Sequence, residues 1–122
     1  MHELSIAQSI VEGACEEALR HPNSRVSAVH LQLGELSGVV KEALLFSYGL
    51  VCEGTRLEGS RLEIEEVGAL VFCENCRAER QLNTIQQFCC PVCLEPTPNV
   101  VKGRELLITG LEIEHDYHAA AC

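Results

Sequence analysis

The chain has 122 residues, with 18 acidic against 9 basic side chains and a formal charge of −9. That surplus of acid excludes the counterion-releasing basic surface on which nucleic-acid binders rely. No stretch approaches the roughly 20 apolar residues of a membrane span. The length suits one compact domain, or a modest domain carrying a small second one.

Met1-His2-Glu3 opens on an acidic residue and runs into a helical pattern, which predicts no export signal and a cytoplasmic location. From Leu4 to Leu19 the apolar residues Leu4, Ala7, Val11, Ala14 and Ala18 recur at steps of three and four, widened by Ile6, Ile10 and Cys15. This is an amphipathic helix with one buried face. His21-Pro22-Asn23-Ser24 stops it. Arg25 to Leu33 alternates as a strand, with Val29, Leu31 and Leu33 on one side and Ala28, His30 and Gln32 on the other.

Gly34-Glu35-Leu36-Ser37-Gly38 reads as a turn in which Ser37 could cap the next helix. That helix, about Val40 to Cys52, is expected to bury Leu44, Leu45, Tyr48 and Val51. A second strand follows at Arg61 to Val67 and, after an excursion, a third at Leu107 to Glu114. A strand–helix–strand unit implies a parallel pair with a right-handed crossover. The expected fold is α+β, with two helices packed on a three-stranded mixed sheet in the order α-β-α-β-β.

The excursion holds the strongest local signal. Cys73-Glu74-Asn75-Cys76 and Cys90-Pro91-Val92-Cys93 are two Cys-x-x-Cys turns, the pattern of a four-thiolate zinc site. Leu70-Val71-Phe72 and Gln87-Phe88 look like short strands delivering them. Cys89 lies beside Cys90 and could substitute for it, but only Cys90 keeps the two-residue gap. Eight cysteines distributed in this way favour zinc and free thiols over disulfides. Such a metal can fold a segment too poor in apolar residues to fold alone. Residues 70–104 therefore read as a zinc-binding domain inserted between strands of a discontinuous main domain, 1–69 and 105–122.

Enzyme signatures are missing. There is no phosphate loop, no dinucleotide fingerprint and no nucleophile elbow. A closed four-cysteine site has no open position at which to activate water. Two non-enzymatic readings compete on these residues alone: a zinc-ribbon nucleic-acid or protein-interaction module, and a rubredoxin-like redox carrier.

At the amino end, the Met1 amine with the His2 imidazole and backbone nitrogen could close two fused chelate rings. Nickel(II) and copper(II) favour such tetragonal nitrogen sites. A histidine at position two is nonetheless usually accidental, and the residues by themselves leave this open.

Met1-His2-Glu3-Leu4-Ser5, Leu33-Gly34-Glu35-Leu36-Ser37-Gly38, Gly54-Thr55 before Gly59, Leu62-Glu63-Ile64 and the two Cys-x-x-Cys turns occur together in this order. In that combination the chain resembles the HypA/HybF family of hydrogenase maturation factors, over nearly its whole length. The resemblance implies a nickel metallochaperone that serves [NiFe]-hydrogenase, working with the GTPase HypB and handing Ni(II) to the hydrogenase large subunit. It also implies nickel held at Met1, His2 and Glu3 through the Met1 amine, the His2 side chain and the backbone nitrogens of His2 and Glu3. Zn(II) at Cys73, Cys76, Cys90 and Cys93 would be structural. A homodimer is among the expected assemblies. The longer, histidine-bearing tail departs from the family pattern and could add a soft auxiliary site at His115, His118 or Cys122.

Overall fold

The computed structural model of the chain describes residues 2–115. Its elements in order are α1 (Glu3–Ala18), β1 (Ser24–Gly34), α2 (Lys41–Cys52), β2 (Arg61–Val67), β3 (Leu70–Cys73), β4 (Ala78–Gln81), β5 (Val100–Lys102) and β6 (Leu106–His115). They form two three-stranded sheets, ordered β2-β1-β6 and β4-β3-β5, and the first is mixed. The chain divides into two compact units. One comprises Met1–Leu31, Val39–Ile64 and Ile108–Cys122, and the other Gln32–Gly38 and Glu65–Leu107.

In the first unit, the helical period of α1 brings Ile6, Ala7, Ile10, Val11, Ala14, Cys15 and Ala18 onto one buried stripe. Leu4, expected in that stripe, is exposed. α2 packs against α1 and buries Leu44, Tyr48 and Cys52, residues four apart on a single face. Leu45 falls off that face and is exposed, and Val51 is only half-buried. The Tyr48 hydroxyl lies 2.7 Å from the Ser60 Oγ, so the one polar tip in this face is partnered.

Ser37 does not cap α2. The helix begins after Val40, whose N–H donates to the Glu3 carboxylate at 3.3 Å. Ser37 instead closes a turn through its N–H on the Gly34 carbonyl. The start of α2 is thus tied by a charge from the start of α1, where an acidic residue also suits the helix dipole.

Contacts across the mixed sheet fix its directions. Arg25 reaches the Glu58 carbonyl and Gln32 reaches Glu65, a constant separation of 33 that marks parallel neighbours. On the other side Arg25 meets Glu114, Ser27 meets Glu112 and Thr109 meets His30, so one number rises as the other falls. β1 and β6 are therefore antiparallel, and β1 and β2 are the parallel pair joined through α2. Buried positions on β1 change phase between Ser27 and His30, so Ala28 joins Val29 in the core instead of facing out with His30.

In the second unit β3 is the central strand, paired antiparallel with β4 and β5. Its core is small: Ala69, Val71 and Leu82, with Leu36, Phe88 and Val100 packed against them half-buried. The segment Gln32–Gly38 is bound to the same unit by backbone pairs, Gly34 N–H to Glu105 O at 2.7 Å and Leu36 N–H to Gly103 O at 2.6 Å. There Gly34 is needed for close approach. A Cβ on it would lie 2.1 Å from the Gly103 carbonyl oxygen and 2.6 Å from the Glu105 nitrogen. Both are backbone atoms and cannot rotate away. Gly34→Ala should therefore lower stability by about 1–3 kcal/mol, the usual range for overpacking, read as a fall in the urea midpoint at constant m.

Candidate metal centre

Two turns of the same construction bring four sulfurs together. In the first, Cys73 ends β3 and pairs with Ala78 at the start of β4, with Cys76 inside the turn. In the second, Phe88 accepts from Thr97 N–H, Cys89 bridges Pro96, and Cys90 N–H donates to Glu95 O. Each leading cysteine thus pairs with the residue five places on. The residue after each second cysteine, Arg77 (φ 54°) and Leu94 (φ 66°), is left-handed. That twist turns each sulfur pair back toward the other at a modest conformational cost. Gln87-Phe88 is not a strand as expected. The rudimentary ladder at 88–90 and 95–97 does its work instead.

The sulfurs of Cys73, Cys76, Cys90 and Cys93 all lie within 4.8 Å of one another, the only such group of histidine, cysteine and acidic side chains among the described residues. Cys73 and Cys93 sulfurs are 3.5 Å apart, and those of Cys76 and Cys90 are 3.9 Å apart. Four sulfurs at 2.3 Å from a tetrahedral centre would be about 3.8 Å apart, so the donor set fits zinc. Cys89 stands outside the group, because the ladder spends it on pairing with Pro96. No disulfide joins the described cysteines.

The surroundings favour the thiolate form at Cys90 and Cys93 and oppose it at Cys76. Cys76 N–H and Val92 N–H donate to the Cys73 and Cys90 sulfurs, each at 3.4 Å. The Cys93 backbone N–H above all pulls the Cys90 thiol down to about 6, and the Asn75 side chain lowers Cys93. Sharing with the Cys93 sulfur raises the Cys76 thiol to about 11. The Arg80 guanidinium stands near Cys76 and Cys90, which hold its pKa above the ordinary arginine value.

Arg80 and Asn75 belong to the centre and were not singled out from sequence. The signal available was position: Arg80 sits opposite Val71 in the β3–β4 register, on the strand that the first turn feeds.

The remaining sequence candidates are dispersed. His2 is exposed and extended (φ −91°, ψ 118°), immediately before α1, and its carbonyl accepts from Ile6 N–H. Glu3 has its carboxylate on Val40. Met1, His118 and Cys122 lie outside the described residues. His30 bonds Glu112 at 2.8 Å on the sheet's polar face, where Arg61 also reaches Glu112 and Glu63. His21, expected as part of a plain turn, packs edge-to-face on His115 with ring centroids 6.1 Å apart. No helix among the described residues is long and apolar enough to cross a membrane.

If the four sulfurs hold the metal, Cys90→Ser should reduce bound zinc from about one equivalent to a small fraction, while Cys89→Ser retains it. Elemental analysis after exhaustive dialysis checks this, and an amide NMR spectrum should show losses confined to residues of the second unit.

Residues 1–113 match the family model described as HypA, hydrogenase/urease nickel incorporation, metallochaperone. A hydrogenase maturation factor HypA of Roseiflexus sp. (strain RS-1) is 50% identical over 116 residues, covering 95% of this chain and 94% of that protein. Another from Chloroflexus aurantiacus is 49% identical over 112 residues, 92% of this chain and 98% of that protein. The solution structure of the Ni metallochaperone HypA from Helicobacter pylori is similar in fold, with TM-score 0.59 at 23% identity, over 94% of this chain and 99% of that one.

Proposed function

Because the chain belongs to the HypA family of hydrogenase/urease nickel-incorporation metallochaperones, we propose that it binds Ni(II) at Met1, His2 and Glu3 and delivers it to a [NiFe]-hydrogenase large subunit. In this reading the protein is a carrier and not a catalyst. It acts in the cytoplasm, with the GTPase HypB as its working partner. Zinc on Cys73, Cys76, Cys90 and Cys93 cross-links the two turns, and residues 70–104 form the inserted domain that it holds.

One observation carries the nickel assignment: α1 begins at Glu3. The first N–H groups of a helix have no intrahelical acceptor, since no carbonyl lies four residues behind them. The Glu3 amide can therefore give up its proton to a metal without breaking a bond of α1. The His2 amide lies outside the helix altogether, and the exposed His2 side chain has room to turn toward the same ion. Glu3 contributes its backbone while its carboxylate serves Val40. That division of labour explains how one residue can be both a donor and a structural tie.

Amine, amide and imidazole nitrogens must all lose protons to bind, so affinity falls as pH drops. Release to a partner then needs only stepwise replacement of ligands at an accessible end.

The test adds one residue before Met1, which moves the amine out of chelating range and leaves every described contact in place. Nickel affinity measured by titration should fall by at least about 100-fold, the equivalent of about 2.7 kcal/mol, with zinc content unchanged. Equal nickel binding by both proteins defeats the N-terminal assignment.

A further inference from the structure

His21 and His115 come from opposite ends of the chain, one from the turn after α1 and the other from the last position of β6. The fold brings their rings to 6.1 Å between centroids at an interplanar angle of 63°. His21 is half-buried and His115 exposed. Beside them lies a cavity of about 490 Å³, lined by Glu17, His21, Ile108, Leu111 and Ile113, and opened by Gly13 and Gly110, which offer no side chain to fill it. An imidazole, a carboxylate and an apolar wall thus line one recess, and the second imidazole packs on the first.

We infer that His21 and His115 form a second site for a divalent transition ion of the nickel and copper type. Imidazole nitrogens bind such ions at about 2.0–2.1 Å, which sets each ring centroid about 3.2 Å from the metal. Two imidazoles at angles from 90° to 180° would then have centroids about 4.5–6.4 Å apart. The observed separation of 6.1 Å falls inside that span, and the rings must turn for their nitrogens to face one ion.

The site is independent of the N-terminal reading. The 16 residues of α1 make a rod about 24 Å long, so His2 at its start and His21 beyond its end cannot share an ion. With two imidazoles, coordination is left open for water or an incoming ligand, which suits a holding site weaker than a closed chelate.

The experiment uses the zinc-loaded full chain with the extra residue before Met1, titrated with nickel alone. Equilibrium dialysis should find about one further equivalent, and the His21 and His115 ring signals should broaden together in proton NMR. His21→Gln and His115→Gln should each weaken this binding by at least about 10-fold. The double variant should be within about twofold of either single, because one imidazole of a chelating pair loses most of its value without the other. The amide spectrum verifies folding. Should His21→Gln disturb it, the exposed His115→Gln and the joint broadening decide alone. Broadening of His115 without His21, an unchanged affinity in His115→Gln or in a folded His21→Gln, or no further nickel bound, overturns the site. Survival of an equivalent that broadens His2 would instead count against the N-terminal chelate and leave this inference to its own signals.

Discussion

Convergence of Cys73, Cys76, Cys90 and Cys93 on one point constrains nearly everything between residues 69 and 100. The apolar core available there is three buried side chains, the largest of them Val71 and Leu82, with partly exposed neighbours around them. Burial on that scale is worth only a few kcal/mol before chain entropy is counted. β4 and β5 are four and three residues long, and two strands that short cannot order the loop between them. Apparent binding energies of roughly 10–16 kcal/mol for structural zinc in small peptides are large enough to supply the difference. The short strands, the paired turns and the left-handed Arg77 and Leu94 are best understood as the geometry this one cluster demands.

Four thiolates on one dication leave two negative charges in a chain that is already acidic. The local answer is backbone N–H groups on Cys73 and Cys90, with the guanidinium of Arg80 near Cys76 and Cys90. Spreading charge into fixed dipoles and one cation lets an electron-rich cluster form where the overall balance opposes it. The count of charges shows the deficit; only the register of β4 shows where the compensating cation stands.

Much of the architecture was legible because it rests on period. α1, β1, α2, β2 and β6 each carry an apolar repeat long enough to read, and their observed bounds lie within a residue or two of the expected ones. β4 was not legible, because Ala78-Glu79-Arg80-Gln81 has no apolar alternation and is a strand only through its pairing with β3. Exposure at Leu4 and Leu45 was missed for a different reason, since residues beside an amphipathic stripe are assigned by what covers them. Ser37 illustrates competition between local and distant partners, with a carboxylate from another helix taking the role expected of a nearby hydroxyl. For the metal centre, spacing picked out the four cysteines whose sulfurs converge, Cys90 and not Cys89 among them, while Asn75 and Arg80 required coordinates. His21 beside His115 had no sequence signal at all, because the two meet only through the fold.

The start of α1 at Glu3 has a kinetic meaning. Amides inside a hydrogen-bond ladder exchange their protons only when the ladder opens, and in a stable domain such openings can be slower than seconds. The amides of the first turn stand outside the ladder and are available at all times. A cargo ion seated on them would come and go on the clock of ligand substitution, however slowly the domain itself unfolds. Stiffening the core would therefore lengthen the life of the protein without lengthening the residence of an ion seated there.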